Sequence, residues 1–332
     1  MFTIKTDYFD LKKIMESGQV FRFYETAPGE YTVYSGNRCL NLKQNGSEVT
    51  FMCDKREFDE YWEDYFDLKR DYASLVSLAE SQEDKGNGAK FLSDSCRYAS
   101  DIRILQQNVW EMMISFIISQ QKQIPSIRKC IEALCERFGE RHEEKIAQGC
   151  QKTQGQNASG QNTGRVWYGF PTAASIASKG PDGLKGLSLG YRERYIYETA
   201  VKYISEGFDG DSLRKMGYEE AKKTLCTFSG IGEKVADCVC LFGCGYTDAF
   251  PIDVHIKDIL YREFFSEKEK TKIEKALKIK LSTSDIPRKK LLDSISYAGY
   301  SKVIDDAFSA YKGARGIVQQ WIFAYELHRG IK

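Results

Sequence analysis

The chain has 332 residues, 42% of them hydrophobic, and a formal net charge of +1. Such a length can bury a sizeable core divided over two or three subdomains, and the near-neutral charge excludes a broadly basic coat, so any polyanion must be held by a local patch and backbone N–H donors. No apolar run reaches bilayer-spanning length, Met1-Phe2-Thr3-Ile4-Lys5-Thr6 has no signal-peptide layout, and the 10 cysteines are scattered; the expectation is an intracellular protein with reduced thiols and no membrane partner.

Segments 31–35, 39–42 and 49–52 are short, β-prone and separated by turns containing Gly or Asn, which predicts an antiparallel sheet in the first hundred residues. From about Asp101 the pattern turns helical, with Trp110, Met113, Ile114, Ile117 and Ile118 on one apolar face. The expected fold class is therefore α+β, with a sheet-containing subdomain over 1–100 and a mainly helical domain over 101–332. Residues 148–164 are polar and Gln/Gly/Asn-rich without periodicity, and read as a flexible surface insert between helices.

Residues 218–243 read as two helices around Ser229-Gly230-Ile231-Gly232: Ala221, Leu225 and Phe228 carry the period before the turn, and Val235, Val239 and Phe242 resume it. Glycine at 230 and 232 permits positive φ and close approach of another backbone. The second helix then begins with unpaired N–H groups and a positive dipole end, which suits a phosphate oxygen. A hairpin of this kind grips a nucleic-acid backbone without reading its sequence. Lys234 falls in the first turn, where the dipole disfavours a cation. It is either a phosphate contact or an amine nucleophile able to form a Schiff base with a sugar carbon.

Further on, Pro251 fixes an extended stretch and Asp253 precedes a helix beginning at Val254. Asp253 suits the N-cap position, and a carboxylate held there in one rotamer can also stabilise positive charge developing on a sugar as its base departs. The Lys-rich run 267–280 reads as a solvated helix with Leu277 facing inward. The last helix is expected to be amphipathic, with Ile322 and Phe323 beside Gln319 and Gln320. His142 and His328 have no partners at metal-ligand spacing, which argues against zinc.

The paired motifs GIGEKVADCVCLF and PIDVH resemble those of the HhH-GPD superfamily of base-excision DNA glycosylases, and within it the 8-oxoguanine DNA glycosylases. Matches extend from Ser17-Gly18-Gln19 to Gln319-Gln320-Trp321-Ile322-Phe323. The resemblance implies a glycosylase with lyase activity that extrudes the damaged nucleotide from duplex DNA, Lys234 being the nucleophile and Asp253 the stabilising carboxylate. It implies that the Gly18 carbonyl accepts the N7 proton that 8-oxoguanine has and guanine lacks, that Phe323 and Cys238 cover the two faces of the base, and that Gln319 meets its pairing edge. Phe323 and Cys238 could equally be core residues, and Gln319 a surface amide.

By the same resemblance Gly230, Gly232 and His255 contact phosphate, Gln121 stands where the family fills the gap left by the flipped base, and Tyr191 and Arg192 match the remaining wedge and cytosine contacts. Ser126 stands where the family has a second cytosine-binding arginine, so relaxed selectivity for the opposite base is expected. No cofactor is required; a metal, where one binds, is expected to be an alkali or alkaline-earth ion on hairpin carbonyls. Cys244 is the last cysteine, so the iron–sulfur cluster that some relatives carry after the hairpin cannot form in its usual place. A monomer acting on DNA is the family expectation. The alternatives are a glycosylase for another oxidised or alkylated base and a non-catalytic, damage-binding hairpin protein.

Overall fold

The structure, a computed structural model, describes residues 1–82, 86–144, 165–281 and 286–330; the insert expected at 148–164 lies outside the described residues. Five strands, β1 (Phe2–Lys5), β2 (Phe23–Ala27), β3 (Glu30–Ser35), β4 (Arg38–Asn45) and β5 (Glu48–Phe51), form an antiparallel sheet in the order β1-β5-β4-β3-β2. The expected strands are β3 to β5. Their two tight connections pair Ser35 with Arg38 and Asn45 with Glu48, led by Gly36 and Gly46 at φ 56° and 58°, a conformation that glycine adopts without strain. β1 returns from the N-terminus to pair Phe2 with Phe51, and both rings meet Phe58, at 4.6 and 4.9 Å between centroids.

Strict alternation would leave one face of β3 wet, yet Tyr31 to Ser35 are all buried. The second face is covered by an unexpected two-stranded sheet, β6 (Arg141–Glu144) with β7 (Arg165–Tyr168). From β7, Trp167 meets Tyr34 at 5.2 Å and Arg165 donates to the Thr32 hydroxyl at 3.0 Å.

The helices of eight or more residues that follow in the same region are α1 (Val109–Ser119), α2 (Ile124–Phe138), α3 (Arg192–Ser205), α4 (Tyr218–Leu225) and α5 (Glu233–Phe242). In α1 every residue from Val109 to Ile118 is buried. The expected single apolar face is thus exceeded, because α2, α3 and α5 all pack against this central helix. Later in the chain come α6 (Val254–Ile259), α7 (Glu267–Leu281) and α8 (Arg315–Gly330). Leu277 of α7 is buried, as its period implies. Among the described residues no helix is long and apolar enough to cross a membrane.

Two compact units result: Met1–Lys69 with Arg103–Tyr246, and Arg70–Ile102 with Thr247–Lys332. This division is not the single boundary at residue 100 read from the pattern change. The helix Ala89–Ala99 packs on the distant α8, and the Trp321 indole donates to the Ile102 carbonyl at 3.2 Å, so 70–102 belongs with the C-terminal segment.

In the first unit two charged groups lie under the sheet. Arg22, 1% exposed, reaches Glu132 of α2 at 3.0 Å and the Tyr168 carbonyl at 2.6 Å. Glu111 of α1, buried nearby, accepts the Gly36 N–H at 2.8 Å, and burial pushes its carboxyl up to about 7, with Arg22 opposing the rise. Between its ordinary value of 4.5 and about 7 the folded protein holds a proton that the unfolded chain has released. Stability should therefore fall as pH rises through that window, by roughly 2–3 kcal/mol from this group. Denaturant unfolding of wild type and Glu111→Gln at pH 5 and pH 8 measures this contribution; the same pH dependence in both proteins would refute it.

Candidate active site

In the first unit the site is built on the hairpin of α4 and α5. Asp237 of α5, fully buried, accepts from the Tyr218 hydroxyl at 2.6 Å and pairs with Lys222 of α4 at 3.0 Å, locking the two helices together. The turn between them is held from α3. Thr199 donates to the Ser229 carbonyl at 2.9 Å, Ser229 donates to Glu198 at 2.5 Å, and Lys202 reaches the Thr227 carbonyl at 3.0 Å. Gly230 sits at φ 78° with the Tyr195 ring so close that a Cβ would come within 2.7 Å of it. Glycine is thus required at 230 for both conformation and space.

Gly232 differs from expectation. Its φ is −93°, which any residue adopts, and a Cβ there would meet open space. Its contribution is positional: it is the N-cap of α5 and provides no side-chain cap, so no side chain takes up the first-turn N–H groups. These are the donors that a phosphate oxygen would use.

Lys234 lies half-buried in that first turn, its ammonium 5.3 Å from the Phe116 ring centroid, and Phe116 stacks on Phe242 at 5.7 Å. Cys238, one turn along on the same face, is buried at 3% exposure. Gly18 lies at φ 81° in a turn pinned by Gln19, whose buried amide bonds the Ser17 hydroxyl, the Arg103 carbonyl and the Leu105 N–H at 2.8 to 3.0 Å. Gln121 is exposed at φ 52°, and Tyr191 is half exposed. Arg192 is buried rather than outstretched: it donates to the Leu189 carbonyl at 3.0 Å and to the Gln120 carbonyl, and its face covers Tyr191. Ser126 is exposed in the first turn of α2.

The hairpin carbonyls are already in use. Those of Phe228, Ser229 and Gly230 accept from Ile231 N–H, Thr199 and Gln120, at 3.1, 2.9 and 2.9 Å. A carbonyl has a second lone pair, so these oxygens fit an alkali or alkaline-earth ion only as shared acceptors, and no chemical step is assigned to one.

The second unit carries the other named residues. Asp253 is the N-cap of α6, one carboxylate oxygen accepting the Ile256 N–H at 2.8 Å. His255 is exposed, and its ring meets Phe323 of α8 at 6.2 Å, edge-on at 72°. Phe323 is half-buried. Gln319 is 4% exposed, so it is no surface amide, and its Oε1 has no hydrogen-bond partner. An unpaired buried acceptor is costly unless something else supplies the donor. Gly316 to Ile322 are all buried, which exceeds the amphipathic expectation for this helix. His142 and His328 instead stack on Trp167 and Tyr98, at 4.2 and 4.3 Å.

Reading the sequence did not find Tyr218, Lys222 and Asp237 as a group, nor Gln120. Lys222 follows Tyr218 at helical spacing, but its pairing with Asp237 exists only once the turn has closed. The cap geometry yields a test of its own. Asp253→Ser should retain the Ile256 N–H bond and unfold within a few tenths of a kcal/mol of wild type, whereas Asp253→Ala should cost about 1 kcal/mol. Equal losses in urea unfolding would remove the cap from the account.

Residues 1–113 match the family model for the 8-oxoguanine DNA glycosylase N-terminal domain, and residues 114–282 that for the HhH-GPD superfamily base excision DNA repair protein. The N-glycosylase/DNA lyase of Saccharomyces cerevisiae is 31% identical over 224 residues, 60% of this chain and 55% of the yeast protein's own length. A solved structure of MBOgg1 in complex with a low affinity DNA ligand superposes with a TM-score of 0.74 at 29% identity, over 99% of this chain and 96% of that one. The apo form of Clostridium acetobutylicum 8-oxoguanine glycosylase/lyase does so with a TM-score of 0.71 at 26% identity, over 97% and 94%. With its hairpin helices in place and the second of these models covering residues 114–282, the chain belongs to the HhH-GPD superfamily of base excision DNA repair proteins.

Proposed function

We propose that this protein is a bifunctional DNA glycosylase and lyase that removes 8-oxoguanine from duplex DNA, acting as a monomer within the cell. The observation that carries the reading is Lys234 in the first turn of α5, beside N–H groups that no side chain caps. Phosphate on those N–H groups brings a nucleotide's sugar next to the amine. The matches to the 8-oxoguanine DNA glycosylase N-terminal domain and to the Clostridium acetobutylicum 8-oxoguanine glycosylase/lyase support the choice of lesion.

In the proposed sequence the neutral Lys234 amine attacks C1′ of the extruded nucleotide and the C1′–N9 bond breaks, its electron pair leaving with the base, which gains a proton. The aminated sugar then opens to a protonated Schiff base as the C1′–O4′ bond breaks, the nitrogen keeping its remaining proton and O4′ taking up one from water. Loss of a proton from C2′ expels the 3′ phosphate by β-elimination and cleaves the strand. Asp253, held in one rotamer by its cap bond, stabilises the cationic sugar. Gly18 accepts the N7 proton of the lesion, Phe323 and Cys238 cover its faces, and Gln319 offers its unpaired Oε1 to the pairing edge. Gly230, Gly232 and His255 hold the backbone, while Gln121, Tyr191 and Arg192 occupy the gap and meet the opposite base.

Borohydride trapping on a duplex containing 8-oxoguanine opposite cytosine tests the proposal. A covalent adduct should form with wild type and not with Lys234→Gln, whose DNA binding should persist. Intact binding without a wild-type adduct would point instead to a damage-binding module. With Ser126 in place of an arginine, excision rates opposite the four bases should lie within about tenfold of one another, since one bidentate contact contributes roughly 1–3 kcal/mol. A hundredfold preference for cytosine would show that Arg192 alone suffices.

A further inference from the structure

Gln120, the C-cap of α1, stands directly before Gln121 and touches two other elements of the first unit. Its side-chain Nε2 donates to the Gly230 carbonyl at 2.9 Å and to the Ile117 carbonyl at 3.3 Å, while its own backbone carbonyl accepts from Arg192. Arg192 is 6% exposed; its guanidinium lies 4.4 Å from the Tyr191 ring centroid, and its Nε is buried without a partner. Among the described residues no carboxylate pairs with it. A cation cradled by neutral carbonyls gives up less when a better acceptor arrives than one held in an ion pair.

Arg192 is also the first residue of α3, the helix whose Tyr195, Glu198 and Thr199 hold the hairpin turn. The contacts close into a ring: Gln120 to Gly230, the turn to α3, and α3 through Arg192 back to Gln120. An Arg192 that turned outward to a base would leave the Gln120 carbonyl, the backbone acceptor of the residue whose side chain tethers Gly230. The turn so tethered leads directly into Lys234.

We infer that Gln120 is a positioning residue that couples the Arg192 contact with the base opposite the lesion to the placement of the hairpin turn and Lys234. The inference rests on the activity proposed above. A double-mutant cycle of Gln120→Met and Arg192→Ala tests it, read as single-turnover borohydride trapping on the 8-oxoguanine:cytosine duplex together with thermal midpoints.

Gln120→Met keeps the side-chain length and removes the donor, and should slow trapping about fivefold, the loss expected for one hydrogen bond. With coupling, the double variant should be no more than about twofold slower than the slower single variant, while the shifts in midpoint add. Losses in rate that multiply would overturn the inference, as would equal non-additivity in the midpoints, which marks a purely structural role. Should Gln120→Met fail to fold, Gln120→Asn, too short to span to Gly230, completes the cycle. A wild type that forms no adduct overturns the proposed activity and this inference with it, whereas a trapping wild type with multiplicative losses overturns the inference alone.

Discussion

A fully buried carboxylate, Asp237, and a largely buried ammonium, Lys222, hold the hairpin closed across its turn. Desolvating them is expensive, and such a pair is sustained only where geometry is good and the remaining lone pairs are satisfied; the Tyr218 hydroxyl supplies that extra bond. With the pair in place α4 and α5 cannot slide past each other, and the turn at Gly230 has one closure. The uncapped start of α5, the half-burial of Lys234 and the alignment of Cys238 beneath it all follow from that closure. On the other side of α5, the Phe116–Phe242 stack presses the helix onto α1 and gives the Lys234 ammonium an aromatic face.

How far the molecule can be read from residues alone depends on how local each constraint is. Strands β3 to β5 are legible because Gly36 and Gly46 punctuate them and their partners are adjacent in the chain. β1 is not, since Phe2 finds its partner in Phe51, and β2 carries an irregularity between Glu25 and Ala27 that blurs its period. The all-round burial of α1 is likewise invisible locally: the Gly36 N–H that Glu111 accepts comes from a strand turn 75 positions away in the chain. For the same reason 70–102 reads as the tail of a first subdomain, although its helices are buried against a segment over two hundred residues further on.

The site divides the same way. Asp253 as an N-cap, the turn at Gly230 and the first-turn position of Lys234 are all short-range statements, and the geometry agrees with each. Whether Gln319 is surface or interior is a tertiary matter, settled by packing around Trp321 and Ile322 that leaves its Oε1 without a donor. Gly232 shows the opposite limit: the residue type is where the motif puts it, but the backbone there needs no glycine. What the position needs is the absence of a capping side chain.

That absence bears on how a polyanion is held if the proposed activity is right. Affinity from lysine and arginine contacts grows by expelling condensed counterions and therefore collapses as salt is added. Neutral N–H groups at a helix start carry only about half an elementary charge between them. On the proposed activity, a phosphate held on the bare end of α5 by a chain of net charge +1 trades strength at low ionic strength for constancy across ionic strengths. A hold on a duplex made in this way is set more by the shape of the turn than by the salt around it.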